Sequence, residues 1–266
     1  DYGLNENQQM LQRVARDFLT NECPKSFVRQ MIEDDRGYSD DLWRKMADSG
    51  WLGLVIPEQY GGSGGSFLDL AVLLEEMGYA CLPGPFFSTV VLVGLPILEL
   101  GNEEQKQEIL PRIANGEAIL TLALTEPCGG YNADGITTKA IVEDDKYIIS
   151  GIKLFVPDAL VAERMICVAR TEGGITLFLV DAKAPGINCT SLKTIARDKQ
   201  CEVVFNKVAV SKKDVLGTAG SGWDQLKGLL LKAAVAKCAE TVGSAQWVLR
   251  TAVDYVQQRV QFGHPT

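Results

Sequence analysis

Several things are scarce in this sequence, and each shortage removes a class of function. There is one histidine, His264, close to the C-terminal end of the 266 residues. A Ser-His-Asp or Cys-His engine would depend on that terminal imidazole, so nucleophilic catalysis of that type is set aside. No Cys-x-x-Cys pair occurs. The seven cysteines, at 23, 81, 128, 167, 189, 201 and 238, are odd in number and scattered, which indicates neither a disulfide framework nor a zinc ribbon and suits a reducing compartment. No run reaches the ~20 apolar residues that cross a bilayer, and the opening DYGLNENQQMLQRVARDFL lacks a basic stretch followed by an apolar one. No transmembrane segment is expected, and the cytoplasm, or a matrix after processing, is the expected location. Basic residues are outnumbered 34 to 26, for a net charge of minus eight, which argues against nucleic acid or an anionic membrane as a partner while leaving room for a local basic pocket.

What is present is a chain of 46% hydrophobic residues, enough to bury a substantial core. Met10, Leu11, Val14, Ala15, Phe18 and Leu19 recur at three- and four-residue intervals, which predicts an amphipathic helix from Glu6 to about Leu19. Asp40-Asp41 reads as an N-cap for a helix stopped by Gly50. Segments 67–79 and 102–115 have similar character, with Pro111 expected to end or kink the latter. From about residue 119 the pattern changes to short β-rich runs at 118–124, 146–150, 164–169, 175–180 and 201–210. The turn signals between them, such as Glu172-Gly173-Gly174 and Pro185-Gly186, are those of an antiparallel sandwich or barrel. After Gly220-Ser221-Gly222 a helical pattern runs from Trp223 to Gly263, about 40 residues or roughly 60 Å. Gly243, Ser244 and Ala245 form a small-residue patch suited to close approach, and the partner helices are expected from outside the chain. The expected fold is α+β and multidomain: an all-α domain over 1–118, a β domain over 119–218, and the first long helix of a helical bundle over 219–266.

Four segments invite a chemical reading. PEQYGGSGGS at 57–66 lacks the Gly-Lys-Ser/Thr ending of a phosphate loop and follows no clean strand, so it reads as a structural turn. In LALTEPCGGYNAD at 122–134, a strand ends at Thr125 and turns through Glu126-Pro127 into glycines, leaving backbone N–H groups and a hydroxyl for a polar ligand. Spacing alone favours a plainer strand-to-turn exit with Thr125 as a local cap. GIKLFVPDA at 151–159 brings Phe155 to a strand end, where its face suits a flat conjugated ring, although a strand phenylalanine is ordinarily core. In YVQQRVQFG at 255–263, Arg259 offers a planar fork for phosphate oxygens. The plainer reading is a solvated arginine on an exposed helix face.

An α-β-α chain carrying these segments in this order resembles the acyl-CoA dehydrogenase family over essentially its whole length. The resemblance implies FAD as cofactor, with Leu124 and Thr125 against the flavin ring and Phe155, Val156 and Pro157 packed along it. Arg259, Gln261 and Phe262 match the ending whose arginine contacts the cofactor pyrophosphate of a neighbouring subunit. It further implies an acyl-CoA substrate dehydrogenated to the 2,3-enoyl thioester, as in fatty acid and lipid metabolism. An electron-accepting flavoprotein is the implied partner, and the assembly a homo-oligomer, dimer or tetramer, or a heteromer. The sequence departs from the family pattern in places. Gly130-Tyr131 stands where a Gly-Ser pair commonly touches substrate, and Val156-Pro157 lacks the usual threonine.

The reaction needs a general base for the proton alpha to the thioester carbonyl. Most members carry that glutamate at a position expected beyond Thr266. The position used by a minority aligns with Ala233, and Leu231 and Ala234 stand where an Asp and an Arg often meet substrate. Glu240, about 10 Å further along the helix, is not nominated. The competing reading is therefore a catalytically silent flavin-binding or structural subunit of a heteromeric dehydrogenase. A third is an acyl-CoA oxidase or flavin monooxygenase of the same architecture.

Overall fold

The computed structural model describes residues 3–130 and 132–261, and the backbone of 264–265. The helices are α1 (Glu6–Glu22), α2 (Lys25–Glu33), α3 (Asp40–Asp48), α4 (Phe67–Ala80), α5 (Leu95–Leu100), α6 (Glu103–Ala114) and α7 (Gly222–Gln258), with a π-helical segment at Phe87–Gly94. The strands are β1 (Leu120–Ala123), β2 (Lys139–Glu143), β3 (Lys146–Pro157), β4 (Arg164–Thr171), β5 (Gly174–Asp181), β6 (Ile187–Leu192), β7 (Gln200–Ser211) and β8 (Val215–Leu216). The chain packs as two compact units, one of Asp1–Gln30, Ser66–Leu82 and Ala234–Thr266, the other of Met31–Gly65 and Pro83–Ala233.

Helix starts follow their caps. Asn5, Ser66 and Asn102 each accept from the backbone three residues on and receive a side chain in return from Gln8, Asp69 and Gln105, satisfying N–H groups that have no partner within the helix. The expected cap at Asp40-Asp41 moves back one residue. Ser39 is the cap, and the two aspartates occupy the first turn, where the helix dipole favours them. Pro111 does not end α6, which continues to Ala114. The hydrogen bond it forfeits is to the carbonyl of Gln107, an exposed residue on the solvent side of the helix, where the loss costs least.

In the first unit, α4 meets the later part of α7 almost backbone to backbone. A Cβ on Gly243 would lie 1.7 Å from the Glu75 carbonyl oxygen, and one on Gly78 would lie 1.8 Å from that of Glu240. Ser244 Oγ donates to the Gly78 carbonyl at 2.9 Å. The small-residue patch thus does what its composition predicts, but a partner helix comes from within the chain. The helix ends at Gln258, short of the expected Gly263.

In the second unit the strands form one sheet, ordered β6-β7-β3-β2-β4-β5-β8, with β1 paired to β4. Pairing is antiparallel except that β1 runs parallel to β4, Leu120 opposite Arg164, and β2 meets β4 in parallel at Lys139 and Arg170. Ile149, Val156, Met165, Phe178, Val203 and Phe205 lie among the buried core residues of this sheet. At the junction from helix to sheet, the Thr89 hydroxyl accepts from the Leu120 N–H at 3.1 Å and donates to the Leu120 carbonyl at 3.2 Å. All seven cysteines are free. Among the described residues no helix is long and apolar enough to cross a membrane, and no cluster of metal-binding side chains occurs.

Candidate functional site

The site is built where the exit of β1 runs beside the end of β3. Strand β3 pairs with β7 through a first irregularity between Ile149 and Gly151, keeps register from Gly151 to Lys153, opposite Val203, and resumes at Val156, opposite Cys201, with a bulge between. Within the bulge Phe155 has φ +54°, a left-handed conformation costing an ordinary L-residue about 1–2 kcal/mol. The Leu154 N–H is diverted to the Thr125 carbonyl at 2.8 Å. The bulge re-aims the chain. Phe155 faces outward at 53% exposure, while Val156 is buried at 1% in the sheet core.

Beneath this surface lies an ion pair with neither side chain in contact with solvent. Lys153 is 0% exposed and Glu126 1%, and Lys153 Nζ donates to Glu126 Oε1 at 2.7 Å and to the Leu124 carbonyl at 3.1 Å. The Glu126 carboxylate also accepts from the Thr137 N–H at 2.7 Å, the Thr137 hydroxyl at 2.5 Å and the Thr138 N–H at 3.1 Å. Burial pushes this carboxyl upward. The Lys153 and Thr137 hydrogen bonds and the lysine charge outweigh it, and the group settles at about 2, the behaviour of a carboxylate satisfied by several donors. Thr138 Oγ1 is buried without a partner among the described residues. It sits where a Cβ on Gly151 would come within 2.3 Å of it, so only glycine fits opposite.

Of the sequence-predicted residues, the fold gathers Leu124, Thr125, Phe155 and Pro157 at one place. Leu124, Thr125 and Pro157 are half-buried, and no hydrogen bond engages the Thr125 hydroxyl among the described residues. Val156 contributes backbone only, its side chain being core. Gly130 lies in the loop after β1, packed so closely on Gly135 that a Cβ would be 2.9 Å from that residue's Cα. Tyr131 and Phe262 lie outside the described residues. Arg259 and Gln261 belong to the other compact unit and are not on the helix, which ends before them. The Arg259 guanidinium is engaged by the Tyr255 hydroxyl and lies 5.5 Å from its ring centroid.

Among the described residues the buried carboxylates are Glu76 and Glu126, each already held by a cation. Arg16 forks onto Glu76, with Nη2 to Oε1 at 3.1 Å. Ala233 is buried, Leu231 is 65% exposed, and Glu240 accepts from Lys237 at 2.6 Å.

Comparison with known proteins agrees with this arrangement. The profile of the acyl-CoA dehydrogenase N-terminal domain matches residues 5–117, and that of the middle domain residues 121–208. An acyl-CoA dehydrogenase of Bacillus subtilis is 31% identical over 98% of this chain and 71% of its own length. The solved butyryl-CoA dehydrogenase of Megasphaera elsdenii superposes with a TM-score of 0.90 at 30% identity, over 100% of this chain and 72% of that one. The ChsE4-ChsE5 complex of Mycobacterium tuberculosis gives a TM-score of 0.90 at 25% identity, over 100% and 70%. The chain belongs to the acyl-CoA dehydrogenase family. Its members are FAD-dependent oxidoreductases acting on the CH–CH bond of acyl-CoA thioesters.

The residues at the bulge fit a flavin. An exposed aromatic face held in a strained backbone, apolar flanks from Leu124 and Pro157 and an unengaged hydroxyl at Thr125 suit a flat conjugated ring with polar edges. The Lys153-Glu126 pair was not foreseen from sequence, although a signal existed. Lys153 shares the strand parity of Ile149, so a lysine was due to point into the core.

Proposed function

We propose that this chain binds FAD at Leu124, Thr125, Phe155 and Pro157, with the Val156 backbone, and acts in dehydrogenation of an acyl-CoA thioester to its 2,3-enoyl thioester. The cofactor, when bound, supplies the acceptor for the hydride. The protein's part is to hold the ring between Phe155 and the Leu124-Thr125 segment and to offer the Thr125 hydroxyl to a polar edge. Gly130 and Tyr131 are the proposed substrate contacts, and Arg259, Gln261 and Phe262 the proposed contacts to the cofactor phosphates of a neighbouring subunit. A separate electron-accepting flavoprotein is the proposed partner. The division into 1–118, 119–218 and 219–266, a cytoplasmic location and a homo-oligomer, dimer or tetramer, complete the reading. The observation that carries it is the left-handed, outward Phe155 beside Thr125, because strain of this kind persists where function requires it. Exposed apolar side chains on α7, among them Leu231, Val235, Val242 and Leu249, support association, since such surface is ordinarily covered.

A second reading is a catalytically silent subunit of a heteromeric dehydrogenase. It is favoured by Ala233, Leu231 and Ala234, which stand where the family resemblance implies a glutamate in a minority of members and often an Asp and an Arg, and by likeness to the ChsE4-ChsE5 complex. The deciding experiment titrates the 266-residue protein with FAD, following the visible spectrum and the size of the complex, and then adds butyryl-CoA without oxygen. Stoichiometric binding with a shifted spectrum supports the flavin site, and bleaching by the thioester supports the enzyme. Binding without bleaching favours the silent subunit, and no binding removes the flavin reading.

A further inference from the structure

We propose that Lys153 and Glu126 are positioning residues of the flavin site, a buried clamp that forces the β3 bulge and so turns Phe155 outward beside Thr125. This rests on the flavin reading above and goes beyond it by assigning the geometry to two residues that touch neither solvent nor ligand surface.

Three chain segments converge on the pair. Lys153 Nζ ties β3 to the exit of β1 through the Leu124 carbonyl and Glu126 Oε1. Glu126 ties that exit to the start of β2 through Thr137 and Thr138. Lys153 is the last residue of β3 in register with β7 before the bulge, and Phe155 lies two residues on. With Lys153 anchored inward, the intervening residues are fixed: the Leu154 N–H goes to Thr125 instead of the β7 ladder, and Phe155 takes the left-handed conformation. Stability alone does not account for the pair. Burying two charges is a weak stabiliser compared with apolar side chains of similar volume, whereas a buried polar group can fix register. Loss of the clamp frees β3 to straighten and Phe155 to leave the surface.

The test compares FAD binding to the wild type and to the double variant Lys153→Met/Glu126→Gln. That variant removes both charges and keeps an amide oxygen at 126 for the Thr137 and Thr138 N–H groups. We expect a double variant that melts with the wild type, binds FAD about tenfold more weakly, equivalent to about 1.4 kcal/mol, and gives a changed visible circular dichroism of the bound flavin. A purely structural role leaves affinity and flavin dichroism as they are, and that result in a folded double variant overturns the proposal. If the wild type itself fails to take up FAD, the proposal falls together with the flavin reading. If the double variant does not fold, Thr137→Val decides, since it removes one hydrogen bond to Glu126 and no charge. About threefold weaker binding is then expected, alongside a melting temperature lowered by a few degrees for the lost hydrogen bond, and unchanged affinity overturns the proposal.

Discussion

The bulge in β3 and the crossing of α4 with α7 both bring backbones close, by opposite means. At the crossing, side chains are removed: Gly78 and Gly243 let each helix approach the other's carbonyls, and the reward is packing. At the bulge, side chains are added where they are expensive, a buried lysine and glutamate beneath a left-handed phenylalanine, and the reward is presentation of a surface. The contrast separates a place shaped for stability from one proposed to serve a ligand. Natural proteins depart from local rules mainly at sites of the second kind.

The largest effect should come from the crossing. Gly243→Val places a side chain into the Glu75 carbonyl and should cost about 5 kcal/mol, among the large values reserved for overpacking. Urea unfolding reads it, and a loss under about 1 kcal/mol would mean that the helices part easily. At the bulge, Glu126→Ala leaves Lys153 buried without its counter-charge and should cost about 4 kcal/mol, measured in the same way. A mild loss would show that water reaches the lysine.

Acid offers a third comparison. The Glu126 carboxyl sits at about 2, below its ordinary 4.5, so the unfolded chain takes up this proton first as pH falls. Its contribution is therefore complete above pH 4.5 and disappears as the pH falls through about 2, a change of about 3 kcal/mol. Unfolding free energies between pH 5 and pH 2 should fall less steeply in Glu126→Gln than in the wild type. Parallel curves would contradict the assignment.

Two smaller changes sharpen the contrast. Phe155→Gly relieves the left-handed strain and should stabilise the chain by about 1 kcal/mol while weakening FAD binding about tenfold, a trade between stability and function. Retained FAD affinity would remove Phe155 from the site. Ser244→Ala should cost only about 0.5–1 kcal/mol, the net value of one hydrogen bond, with FAD affinity untouched.

Much of this was legible in the sequence, because strong periodicities survive folding. The three-four spacing in α1 and the apolar strand runs now seen as β4, β5 and β7 are set by one buried face or by full burial. Strands β2 and β6 were missed because their side chains are mostly exposed or half-buried, which leaves little apolar pattern. The π-helical segment, FSTVVLVG, is rich in β-branched residues that read against a helix, and burial overrides that preference. At the proposed site, Thr125 and Phe155 are assigned through resemblance alone. The clamp beneath them was visible only as a parity clash, a lysine at an inward position of a strand. The bulge then reverses that parity, so a pattern of period two fails at Phe155 and Val156.

The hydroxyl of Thr89 has a consequence of its own. A strand as short as β1 begins with polar backbone groups that need partners, and with all four of its residues buried water supplies none. By accepting from one group of Leu120 and donating to the other, a single side chain takes the place of a neighbouring strand there. Thr89 and Leu120 are both fully buried, so no water can stand in for that oxygen, and Thr89→Ala would strip the Leu120 N–H of its acceptor inside the fold, a loss of about 1–3 kcal/mol in stability.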